Sequence, residues 1–103
     1  MLDLDSIELH DAQLKKMDIN YISKEVMISL DYYENQNANT RQFGMIKFEG
    51  VISITQIADF QRLNEHFSAG NINYWVPAKV AGITYIYLSD GCLVINAENV
   101  KLI

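Results

Sequence analysis

Apolar and polar positions alternate along most of this chain, and the period turns helical over a single stretch. The clearest alternation is GITYIYLSDGCLVINA, residues 82–97, where two runs rich in β-branched and aromatic residues flank Asp90-Gly91. That dipeptide suits a type I′ turn, which needs positive φ at both central residues. With Asp90 and Gly91 as the loop, Ser89 faces Cys92, Leu88 faces Leu93, Tyr87 faces Val94, Ile86 faces Ile95, Tyr85 faces Asn96 and Thr84 faces Ala97. Alternation then puts Leu88, Leu93, Ile86, Ile95, Thr84 and Ala97 on one nearly apolar face. Tyr87, Val94, Tyr85, Asn96, Ser89 and Cys92 occupy the other.

Residues 12–21 and 25–33 predict an earlier hairpin, with Ile22-Ser23-Lys24 as its turn. Its second strand sets Val26, Ile28, Leu30 and Tyr32 against Met27, Ser29, Asp31 and Tyr33. In the first strand Leu14 is out of phase with Met17, Ile19 and Tyr21, which a bulge near Lys15-Lys16 reconciles. Residues 1–11 alternate acidic and apolar positions with no clear period, as either a lead-in strand or an irregular arm along the sheet. The Asn-dominated segment 34–40 is a polar loop. A third strand begins over residues 41–48, with a bulge or bend at Gly50 and an extension over 51–55. Ile57, Phe60, Leu63 and Phe67 then recur at helical spacing. This predicts a short helix over 56–67, with Thr55 as N-cap and Gly70 after its end, burying Phe60, Leu63 and Phe67. Residues 68–81 read as a long connection ending around Pro77, and residues 100–103 as a short last strand or tail.

These elements imply a mostly-β α+β fold: an antiparallel sheet of about five or six strands with one short helix packed on one face. The 103 residues, half of them hydrophobic, suit a single domain spanning 1–103 with a real core. No apolar run approaches the roughly 18 residues that would predict a membrane span. The acidic opening lacks the pattern of a signal peptide. A single cysteine excludes an internal disulfide framework. A cytoplasmic location is therefore expected. The formal net charge of -5, with scattered basic residues, opposes nucleic-acid binding, because phosphate contacts need clustered Lys and Arg.

Catalytic and metal motifs are wanting. His10 and Asp11 are neighbours that point apart on an extended chain, and His66 is distant in sequence. Two histidines and Cys92 do not form a zinc-ligand pattern. Nothing marks a base beside Cys92. Asp31 and Glu34 end a strand and enter a loop, a solvated arrangement rather than a general acid and base. Phosphate-cradling glycine motifs are absent. No catalytic residue, cofactor or metal site is therefore assigned. The aromatics carry more information. Tyr32-Tyr33, Tyr74-Trp75 and Tyr85 with Tyr87 concentrate rings of the kind enriched at protein interfaces. Tyr74, Trp75, Tyr85 and Tyr87 are the candidate contact residues, most simply for a second copy of the chain. The competing reading has Trp75 folding back to plug its own sheet.

The segment Leu9-His10-Asp11-Ala12, followed by Leu14 and by a hairpin ending in ISLDYY, resembles the opening of several small uncharacterised bacterial families. These start with an L-H-D-A strand and continue as antiparallel sheets, and some are assigned as immunity proteins of polymorphic toxin systems. The resemblance covers about the first third of the chain and implies no catalytic residues. It implies a bacterial, non-enzymatic binding protein. The function expected is thus a protein-binding module, with an immunity-type inhibitor as its specialised form. The alternatives are a structural or self-assembling protein, and a small enzyme or ligand-binding protein with a pocket near loops 34–40 and 70–81.

Overall fold

The computed structural model describes residue 4, residues 7–35 and residues 37–103. Among these described residues six strands and one helix follow in order: β1 Gln13–Asn20, β2 Glu25–Tyr32, β3 Gln42–Ile57, α1 Phe60–Glu65, β4 Ile72–Val76, β5 Gly82–Leu88 and β6 Gly91–Leu102. They form one antiparallel sheet in the order β1-β2-β3-β6-β5-β4. The fold is the mostly-β α+β class that the alternation predicts.

The first hairpin follows its sequence closely. Val26, Ile28, Leu30 and Tyr32 are all buried. The register of β1 on β2 shifts between Leu14 and Lys16, which is the bulge that the out-of-phase Leu14 requires. In the turn, the Asn20 side chain accepts from the N–H groups of Ile22 and Ser23. The long strand β3 pairs with β2 only as far as Phe48. Gly50 then adopts φ +61 and the register on β6 shifts between Val51 and Ser53. A side chain with a Cβ at Gly50 would be strained by that φ and would press on Glu98. Past this bend β3 continues beside β6 alone, and the inward positions change from Phe48 and Val100 to Ala97, Ile95 and Leu93.

The bend lets the sheet curl until its two edge strands meet at one end. Asp11 N–H donates to the Ile72 carbonyl at 3.0 Å, and the N–H groups of Asn71 and Ile72 donate to the Ala12 carbonyl at 3.0 and 3.1 Å. Asn71, only 1% exposed, completes the seam with its side chain. Its Oδ1 accepts from Leu14 N–H at 2.7 Å, and its Nδ2 donates to the carbonyls of Leu14 and Leu63 at 3.3 and 3.1 Å. The core fills the curl with Ile28, Leu30, Ile46, Phe48, Ile86, Leu93 and Ile95, and is closed by Ile7, Leu9 and Ala12. Residues 7–9 are thus an irregular arm rather than a strand. The rest of that expectation, positions 1–3, 5 and 6, lies outside the described residues.

Three expectations are corrected. The helix is shorter than the 56–67 periodicity predicts. Gln56 and Ile57 pair with Leu93 and Cys92 as the end of β3, so ladder hydrogen bonds override the helical spacing. Asp59, not Thr55, is the N-cap, accepting from Arg62 N–H at 3.1 Å. Phe60 is 74% exposed, and Leu63 and Phe67 are half-buried. The final hairpin pairs Leu88 with Gly91, Tyr87 with Cys92 and Ile86 with Leu93, so its loop is Ser89-Asp90. Asp90 takes the positive φ of 59, and Gly91 does not. The register differs by two residues, an even shift, so every side chain stays on its expected face. Gly91 is needed for another reason: a Cβ there would collide with the Ile57 carbonyl. Finally, segment 68–81 is not all connection, since Ile72–Val76 is β4, paired with β5.

Candidate functional site

The outward faces of the two sheet halves differ in chemistry. Across β1, β2, the start of β3 and the end of β6, opposite charges are laid side by side. Lys15 meets Asp31 at 3.0 Å, Lys16 meets Asp18 at 3.4 Å, Lys47 meets Glu25 at 3.4 Å and Lys101 meets Glu49 at 3.3 Å. Asn99 donates to the Glu49 carboxylate and, with Lys101, holds its pKa below the ordinary glutamate value. Exposed pairs of this kind contribute little stability each. They describe a face built for water.

The rows over β4, β5, the start of β6 and the end of β3 carry no charge, and exposed Glu98 lies past them along β6. The register sets its outward residues in transverse rows: Tyr74–Tyr87–Cys92–Ile57, then Val76–Tyr85–Val94–Thr55, then Ile83–Asn96–Ser53. Their inward neighbours Trp75, Thr84, Ile86, Leu93 and Ile95 are buried, which fixes the orientation by alternation. Ile57 is 60% exposed, Tyr74 53%, Val76 48%, Ile83 44% and Tyr85 36%. The rings form a stack. The Tyr74 and Tyr87 centroids lie 4.6 Å apart at 25°, and those of Tyr85 and Tyr87 lie 6.2 Å apart at 8°. Burial, and then the neighbouring Tyr74 and Tyr85, hold the Tyr87 phenol above the ordinary tyrosine value. A contiguous exposed apolar face of this kind is a candidate contact surface.

Tyr74, Tyr85 and Tyr87 are therefore brought together, and Trp75 is not among them. As the strand neighbour of Tyr74 it points inward, is 8% exposed, and donates its indole N–H to the Ile7 carbonyl at 2.9 Å. Trp75 plugs its own sheet. Val94 stands on this face as alternation predicts, and Ile57, Val76 and Ile83 join it unannounced. Alternation within β5 could have found Ile83, whereas Val76 needed β4 to be seen as a strand.

The other candidates lie away from this face, and one expectation about them is corrected: His10 and Asp11 do not point apart, because Asp11 is not extended. Asp11, at φ 62, turns its carboxylate back to within 3.4 Å of His10 Nε2, while His10 Nδ1 contacts the Asn73 carbonyl. Both side chains are more than half exposed. His66 is the C-cap of α1. Cys92 is half-buried in the tyrosine rows. Asp31 is paired with Lys15. Among the described residues no group of three or more His, Cys, Asp or Glu converges, and no helix is long and apolar enough to cross a membrane. Two open clefts of about 410 and 500 Å³ share Ile19 and Gln56 and run along β1, facing α1 and the far half of β3. Asn71 is their sole lining residue from the 34–40 and 70–81 segments expected to form a pocket.

Neither family models, curated proteins nor solved structures give a match to this chain.

Proposed function

We propose that this chain is a non-enzymatic protein-binding module that works in the cytoplasm and contacts its partner through the uncharged tyrosine face. The supporting observation is the contrast across one sheet: salt-bridged charges over one outward half, and stacked tyrosines with exposed Ile57, Val76 and Ile83 over the other. Tyrosine suits contact surfaces because it brings large apolar area, few rotatable bonds and a hydroxyl that hydrogen-bonds at the rim. An immunity-type inhibitor is one specialised form of this reading. Its target would then offer an apolar surface to the tyrosines rather than a basic one.

The test is the size of the chain after chemical cross-linking inside the cells that encode it, by gel filtration and immunodetection of the extract. The proposal expects elution well above the monomer, collapsing to monomer size in Tyr74→Glu and unchanged in Tyr21→Glu at the exposed hairpin tip. Elution of the wild type as a monomer contradicts it.

A further inference from the structure

We infer that the partner on the tyrosine face is a second copy of this chain, related by a two-fold axis; this rests on the binding reading above. The chain carries a net charge of -5, so two copies repel at long range, and a joined surface free of acidic groups adds no close like-charge contact to that repulsion. The tyrosine rows meet that condition at every position. A two-fold interface pairs a patch with itself. An uncharged patch therefore apposes no like charges, whatever the rotation between the copies. A basic partner would be drawn by carboxylates at its contact surface, yet none stands in the rows: Asp31, Glu25 and Glu49 lie on the other half, each held by a lysine, Asp90 in the turn is held by Arg62, and Glu98 lies past the last row.

The polar groups of the face are self-compatible too. Tyr74, Tyr85, Thr55 and Ser53 carry hydroxyls, and Asn96 an amide, which both donate and accept. Each can pair with its own kind in the other copy, as a carboxylate or an ammonium could not. Four strands at about 4.8 Å spacing, with about five residues at 3.3 Å rise, give a flat footprint of roughly 300 Å². That is small beside the roughly 800 Å² of accessible surface per partner in a standard interface. The dimer is accordingly weak and depends on concentration.

Sedimentation equilibrium of the purified full chain over a dilution series tests this. The inference expects a monomer–dimer equilibrium in the wild type. Tyr74→Glu should weaken it at least tenfold without changing the melting temperature of dilute protein, and Tyr21→Glu should leave it unchanged. Thr55→Lys, at an exposed position of the same face, supplies the answer should Tyr74→Glu fail to fold. A wild type that stays monomeric to the highest soluble concentration overturns the inference, as does a dimer indifferent to both face variants. A chain monomeric when pure but complexed in extract would sink only the choice of partner. A monomer in both would sink the binding reading as well.

Discussion

The side chain of Asn71 holds both backbone groups of Leu14, accepting from its N–H at 2.7 Å and donating to its carbonyl at 3.3 Å. Leu14 belongs to β1 and Asn71 immediately precedes β4, the two edges of the six-stranded sheet. One amide thereby imitates a strand neighbour and helps turn an open sheet into a curled one. Edge strands left open invite pairing with other chains, so this seam also limits where a partner can attach.

Replacing Asn71 by Ala should therefore be costly. It strips partners from the Leu14 N–H and carbonyl and from the Leu63 carbonyl in a part-buried site. A loss of roughly 2–4 kcal/mol is expected from orphaned polar groups, read as a lower urea midpoint. An unchanged midpoint would mean that the seam closes without this residue.

Trp75→Ala should destabilise folding by about 3–5 kcal/mol, as for other large-to-small core changes, equally at every protein concentration. Trp75→Phe keeps most of the packing but leaves the Ile7 carbonyl without its indole donor. It should fall between the wild type and Trp75→Ala in thermal unfolding. A Trp75→Ala protein of normal stability would place the indole outside the core.

Gly91→Ala should destabilise by roughly 1–3 kcal/mol through overpacking, because its methyl would meet the Ile57 carbonyl of the neighbouring strand. The cause is close approach of two backbones, not positive φ. Shortening the neighbour cannot relieve it, since the obstacle is main chain. Chemical denaturation of Gly91→Ala checks the cost, and a neutral result would refute the close packing of β6 on the end of β3.

Alkaline pH should weaken the fold at Tyr87. Its folded pKa is raised, first by burial and then by Tyr74 and Tyr85, so the folded state favours the neutral phenol. Its contribution is complete below the unfolded tyrosine pKa of about 10 and is lost as pH rises through the folded value. Ultraviolet difference titration should show a late-ionising component that Tyr87→Phe diminishes. An alkaline limb of the titration curve unchanged by Tyr87→Phe would contradict the stacked geometry.

Local period revealed much of the fold. The inward set Val26, Ile28, Leu30 and Tyr32, the bulge beside Lys15 and the bend at Gly50 are all legible, because each alters a two-residue alternation. The last hairpin shows where such reading stops. Its faces are right but its register is not, because alternation is blind to an even shift and Asp90-Gly91 pointed to the wrong loop. The Ile57 backbone that forbids a side chain at Gly91 lies in another strand and leaves no local trace. Half the site was legible for the same reason. Tyr85 and Tyr87 share a face by alternation. β4 is only five residues long and splits Tyr74 from Trp75, so its inward and outward members looked like one aromatic loop. Asn71 belongs to no periodic pattern at all.

The account stands most directly on whether the tyrosine face is covered in the assembled state. Hydroxyl-radical footprinting can compare dilute purified chain with the same chain in its native complex. The account predicts that Tyr74, Tyr85, Ile57 and Ile83 lose reactivity together, while Tyr21 and Ile22, 82% and 94% exposed at the hairpin tip, keep theirs. Protection of Tyr21 and Ile22 with an unchanged, reactive tyrosine face would contradict it.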